Sequence, residues 1–95
     1  MIRSFKCLDS DRLFGGQYSR RLPADVQCVA ARKLEMLDAA PSLRALTAPP
    51  SNRLEKLRGD RAGSYSIRIN RRWRVCFRWI DGNAHAVEIV DYHKG

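Results

Sequence analysis

Cysteine is scarce in this sequence and never closely paired. Cys7, Cys28 and Cys76 are odd in number and widely spaced, with no C-x-x-C step. That pattern indicates neither a disulfide framework nor a zinc site, so no metal or other cofactor is expected. The thiols read as reduced, small hydrophobes. Long apolar runs are missing too: none nears the roughly 18 residues that a membrane-spanning helix needs. The opening Met1-Ile2-Arg3-Ser4-Phe5-Lys6 alternates like a strand and lacks the apolar centre of a secretion signal. A cytoplasmic protein without membrane contact is expected. A chain of 95 residues gives one domain, 1–95, whose modest core cannot enclose a large cavity. Any site is then an open surface or a shallow groove.

Acidic residues are also few, 10 against 18 Lys and Arg. The excess is local. Residues 53–79 hold nine basic and two acidic side chains, whereas residues 80–95 hold one basic and three acidic. Fourteen of the basic residues are Arg, whose planar fork grips phosphate better than the point charge of Lys. A polyanion is the natural partner. The plainer alternative is a solubilising surface, but that more often uses scattered Lys.

The pattern along the chain predicts an α+β fold. Residues 1–7 suit a first strand. Asp9 or Ser10 is placed to cap a short helix over Asp11–Phe14, which Gly15-Gly16 ends. Leu22-Pro23-Ala24-Asp25 opens a long helix that Pro41 stops. Its apolar stripe is Val26, Val29, Ala30, Leu37 and Ala40, with Leu34 and Met36 at the edges and Lys33 reaching outward. Residues 41–52, with three prolines, read as a loop, and Arg53–Asp60 as a short connection.

From Ser64 the period becomes two. Tyr65, Ile67 and Ile69 alternate with Ser66, Arg68 and Asn70, and Trp73, Val75, Phe77 and Trp79 alternate with Arg72, Arg74, Cys76 and Arg78. A turn near Asn70-Arg71 and the hairpin signal Asp81-Gly82-Asn83 join three strands into an antiparallel meander. The last strand runs through Val87–Val90 to Asp91-Tyr92-His93. One face packs on the long helix, with Tyr65, Trp73 and Trp79 in its core phase. The other displays Arg68, Arg72, Arg74 and Arg78, spaced about 7 Å apart along a strand, close to the phosphate repeat of an extended nucleic acid. A merely solvated arginine face is the competing interpretation.

The run Asn52-Arg53-Leu54-Glu55-Lys56-Leu57-Arg58-Gly59-Asp60-Arg61-Ala62-Gly63, then Trp73-Arg74-Val75-Cys76-Phe77, then Glu88-Ile89-Val90-Asp91-Tyr92-His93, resembles the HigB toxins of bacterial toxin–antitoxin modules. The resemblance spans nearly the whole chain. It implies the RelE/ParE superfamily fold: an N-terminal strand and two helices packed on a mainly antiparallel curved sheet. It also implies a ribonuclease that enters the 70S ribosome and cuts mRNA in the A site. The implied partner is a HigA-like helix-turn-helix antitoxin, with operator DNA reached only through that antitoxin.

Such cleavage has the ribose 2′-OH attack the adjacent phosphate. It needs a base for the 2′ proton, an acid for the leaving 5′ oxygen, and cations for the developing charge. His93 is the expected acid/base, since imidazole titrates near neutrality. Asp91 would orient substrate or tune His93, and Tyr92 would stack a base or donate a hydrogen bond. Arg74 is the expected phosphate clamp and Arg58 the second, both matching basic positions that the resembling toxins use. Glu55 stands where certain HigB toxins carry a second histidine. It would act as the base or simply pair with a nearby Arg. Arg53, Lys56, Arg61, Arg68, Arg71, Arg72 and Arg78 are the candidate contacts to RNA and the ribosome, although Asp60 and Arg61 could instead only shape their turn. His85 reads as surface. Two other functions share the expected fold: a ParE-like gyrase poison, which would not need the Arg74, Asp91, Tyr92 and His93 set, and a non-catalytic RNA- or ribosome-binding module.

Overall fold

Proline punctuation and a change of hydrophobic period divide the chain where expected. The computed structural model describes residues 1–91. Two helices, α1 (Leu8–Phe14) and α2 (Ala24–Ala39), precede four strands: β1 (Glu55–Lys56), β2 (Ser64–Arg68), β3 (Trp73–Ile80) and β4 (Asn83–Asp91). The strands form an antiparallel sheet in the order β1-β2-β3-β4. At the β3–β4 turn, Asp81 (φ 51°) and Gly82 (φ 78°) both adopt the left-handed conformation that a tight hairpin demands.

The long helix begins after Pro23, whose fixed φ suits a helix start, and ends before Pro41. It buries Val26, Ala30, Leu34, Leu37 and Ala40 in one cluster with Ile67, Val75, Phe77 and Val87 of the sheet. Leu34 is wholly buried, so it is the centre of the stripe and not its edge; Val29 and Met36 are the half-buried flanks. Tyr65, Trp73 and Trp79 pack against the same cluster.

Five other expectations are corrected. The N-terminal segment makes only isolated bridges, Ile2 to Ala84 and Phe5 to Val87, and runs parallel to β4. Helix α1 starts at Leu8, so Asp9 and Ser10 lie inside it. Ser10 is buried and its Oγ accepts the Ile89 amide, which ties α1 to β4. The proline-rich stretch is not bare loop: it holds two 3-10 turns, Leu43–Thr47 and Pro50–Asn52, and buries Leu46 and Asn52. Glu55-Lys56 within the supposed connection is an edge strand. Cys76 is buried, but Cys28 is exposed and does not act as a core hydrophobe.

Two buried polar residues replace backbone partners that the fold leaves unpaired. Gln27 accepts from the Ser19 amide and donates to the Ser19 and Leu22 carbonyls, closing the α1–α2 connection. Asn52 donates to the Leu46 and Ala48 carbonyls and accepts from Lys33 Nζ. Lys33 therefore does not simply reach outward. It is tethered to Asn52, and burial, with the Arg32 charge beside it, pushes its pKa down.

Candidate active site on the arginine face

Register decides which charged side chains share a face. Residues directly opposed on antiparallel strands point the same way. Arg68 stands opposite Arg74, Ser66 opposite Cys76 and Ser64 opposite Arg78 on β2 and β3. Glu55 stands opposite Ser66. These residues form one surface, turned away from the helices.

Arg74 is the centre of that surface. Its side chain is only 15% exposed, and its Nη1 donates to Glu55 Oε1 at 2.8 Å, reaching across β2 to the edge strand. Glu55 is 53% exposed. A carboxylate open to solvent thus touches a largely sheltered guanidinium. One supplies an acceptor for a proton, the other a cation for a phosphoryl oxygen. Beneath them Ser66 is wholly buried, and its Oγ has no hydrogen-bond partner among the described residues.

The other expected site residues divide by place. Arg61, Arg68 and Arg78 join Arg74 on this face. Arg61 donates to Glu88 at 3.2 Å and to Cys76 Sγ at 3.4 Å. Arg53, Arg58 and Arg71 are exposed in the connecting segments around the sheet. Lys56 stands opposite Tyr65, hence on the helix side of the sheet and off the arginine face. Arg72 leaves the row as well. Its Nε and Nη2 both bond Asp91 Oδ2, at 2.9 and 2.8 Å, and its guanidinium lies over the Trp73 ring. The hydrogen bond and charge of Asp91 hold the Arg72 pKa above its ordinary value. Asp91 stands opposite Trp73, whereas Arg74 stands opposite Val90. The structure therefore joins Asp91 to Arg72 and Glu55 to Arg74. Tyr92 and His93 lie outside the described residues. Among the described residues, no three His, Cys, Asp or Glu side chains gather closely enough to hold a metal ion.

A model of the RelE-like toxin of the type II toxin–antitoxin system HigB matches residues 4–93. The chain belongs to the HigB-like toxin family. Among curated proteins it is similar to Toxin HigB-1 of Vibrio cholerae serotype O1, 45% identical over 79% of this chain and 78% of that one. It is also similar to Endoribonuclease HigB of Proteus vulgaris, 35% identical over 98% of this chain and 100% of that one. In fold it matches a YafQ variant from E. coli with a TM-score of 0.63 at 9% identity, over 99% and 97% of the two chains. YoeB in the YoeB–YefM complex from Staphylococcus aureus matches with a TM-score of 0.57 at 16% identity, over 93% and 95%. These neighbours establish the α+β toxin fold.

This HigB-family toxin carries two face residues that pattern reasoning missed, His85 and Glu88. Arg78 opposes His85 while Cys76 opposes Glu88, so β4 has one residue more than β3 in this interval. The extra residue is a bulge at Ala86, with φ 52° and its amide donating to Ser4 Oγ. The bulge puts His85 and Glu88 on the same face although they are three apart. A signal for it exists in the sequence: the buried residues Ala84 and Val87 are three apart, then Val87 and Ile89 two apart.

Proposed function

We propose that this HigB-family toxin is a ribosome-dependent endoribonuclease that cuts mRNA in the A site and so stops translation. The contact between Glu55 and Arg74 supports this reading most directly. It joins a proton acceptor and a phosphate clamp on a face rich in arginine, at the scale of one phosphodiester. In this reading Arg74 holds the scissile phosphate and takes up charge as the 2′ oxygen attacks. Glu55 accepts the 2′ proton or, failing that, fixes the Arg74 fork. His93 protonates the leaving 5′ oxygen, with Tyr92 against a base and Asp91, through Arg72, shaping the strand end. Arg58 adds a second cation to the phosphate. Arg53, Lys56, Arg61, Arg68, Arg71 and Arg78 hold RNA and ribosome. The chemistry proceeds through side-chain proton transfer and requires no metal. A HigA-like antitoxin neutralises the toxin, and operator DNA is bound through that antitoxin.

The test is RNA 5′-end mapping after induction of the toxin alone. Ends should accumulate inside reading frames, and His93→Ala and Arg74→Lys should abolish them without unfolding the protein. Undiminished toxicity of both variants, with messengers intact, rejects the assignment and leaves a gyrase poison or a passive binder.

A further inference from the structure

Beside the Glu55–Arg74 pair, on the same face, lies a pocket of about 220 Å³ whose lining includes Lys6, Arg61, Ser64, Cys76, Arg78 and Glu88. Cys76 is two residues from Arg74 on β3, about 7 Å along the strand. The volume is below the ~300–1,000 Å³ of ordinary small-molecule sites and suits a single ring system.

The wall is bipolar. Lys6 Nζ at 3.5 Å and Arg61 Nη2 at 3.2 Å both reach the same oxygen of Glu88, Oε2. The other oxygen, Oε1, has no partner among the described residues, so the pocket keeps an acceptor. Arg78 lines the same pocket, exposed and without an ion pair among the described residues. Its guanidinium lies along the Gly63 turn, with Nη2 3.8 Å from where a Cβ on Gly63 would stand, an ordinary contact that leaves the fork uncrowded. A phosphate entering here would meet the Glu88 carboxylate, with Lys6 and Arg61 already committed to it. A neutral ring with donors and acceptors on its edges meets a partner for each.

Given the ribonuclease reading, we propose that this pocket takes one nucleobase of the messenger beside the phosphate held at Arg74, guanine before the others. Guanine offers O6 and N7 to an arginine fork and its amino group to Glu88 Oε1. Single-stranded RNA is read in this manner, by splayed bases bonded on their edges and stacked on guanidinium planes. The residues that set sequence preference are then Glu88 with Arg61 and Arg78, apart from those that cut.

The experiment uses the full-length toxin with ribosomes programmed by a messenger library randomised around the cleavage site, and sequences the 5′ ends. Guanine should be enriched at one position near the cut. Glu88→Gln and Arg78→Lys should each flatten that enrichment about ten-fold while preferences at other positions persist. Arg78→Lys keeps the charge and removes only the fork, so it decides the matter if Glu88→Gln melts early. A uniform fall over all sequences would overturn the proposal in favour of a phosphate or ribosomal RNA contact. An unchanged pattern in both variants would overturn it too, as would a Glu88-dependent preference for uracil, which has no amino group. Failure of the unmodified toxin to cut any sequence would instead strike the ribonuclease reading itself.

Discussion

Arg68 and Arg74 stand directly opposite each other on paired strands, two like charges at the closest cross-strand distance. Such a pair costs about 0.2–1 kcal/mol in a sheet. Glu55, one strand further out, bonds Arg74 at 2.8 Å and offsets the repulsion. Edge strand β1 is only two residues long, yet it delivers a carboxylate that reaches Arg74.

The first prediction separates the two parts Glu55 can take. Glu55→Gln keeps the shape and a carbonyl acceptor but cannot take a proton. If Glu55 is the base, single-turnover cleavage on programmed ribosomes falls by roughly 10²–10⁴ and the acidic limb of the pH–rate profile disappears. Loss below ten-fold with that limb intact assigns Glu55 to holding Arg74. Stability should change by less than about 1 kcal/mol in either case, because Glu55 is half exposed.

The hydroxyl of Ser66 is buried under this pair without a hydrogen-bond partner among the described residues. A buried, unsatisfied polar group costs about 1–3 kcal/mol. Ser66→Ala should therefore be neutral or stabilising, by up to about 1 kcal/mol in urea melts. A clear loss of stability would show that the hydroxyl is satisfied in solution.

Much of the fold was legible because its signals are local. Pro23 and Pro41 bracket α2, and strict alternation from Trp73 to Trp79 sets the faces of β3. What escaped depends on distant neighbours. Leu34 looks peripheral on a helical wheel and is central only because the sheet lies across it. Glu55 and Arg74 are 19 residues apart, and only the β1–β2–β3 register joins them; "a nearby Arg" was as far as spacing could go. The same register moves Lys56 to the other face. Asp91 is expected to orient substrate or tune His93; its bond to Arg72 was not legible, because it depends on the β3–β4 register that sets Asp91 opposite Trp73.

Leu34 and Met36 test where the stripe is centred. Leu34 is wholly buried at the helix–sheet interface, while Met36 is a half-buried flank. Leu34→Ala should cost about 2–5 kcal/mol. Met36→Ala should cost less than half of that in the same chemical denaturation series. Equal losses would mean that the helix is rotated from the described packing.

Gln27 supplies three hydrogen bonds to the backbone of the α1–α2 connection. Gln27→Met keeps much of the bulk and removes all three. It should cost about 1–3 kcal/mol, since the backbone groups of Ser19 stay sheltered. Amide exchange at Ser19 should accelerate at least ten-fold more than at core positions of β3. Exchange that accelerates uniformly would indicate global destabilisation without a local role for the amide.

Lys33 gives a pH dependence whose sign is set by its surroundings. Burial, then the neighbouring Arg32, lowers its folded-state pKa below the ordinary value of about 10.4. Between the lowered value and the ordinary one, the unfolded chain binds more protons at Lys33 than the folded chain does. Stability must then rise with pH across that interval, because folding favours the neutral amine. The bond to Asn52 persists, as an uncharged amine still donates. Lys33→Met abolishes this titration and leaves other alkaline groups in place. The stability of the unmodified toxin minus that of the variant should accordingly increase from pH 8 towards pH 10.5 in paired urea melts. A constant or falling difference would mean that Lys33 is as well solvated when folded as when unfolded, and that its contact with Asn52 is not maintained in solution.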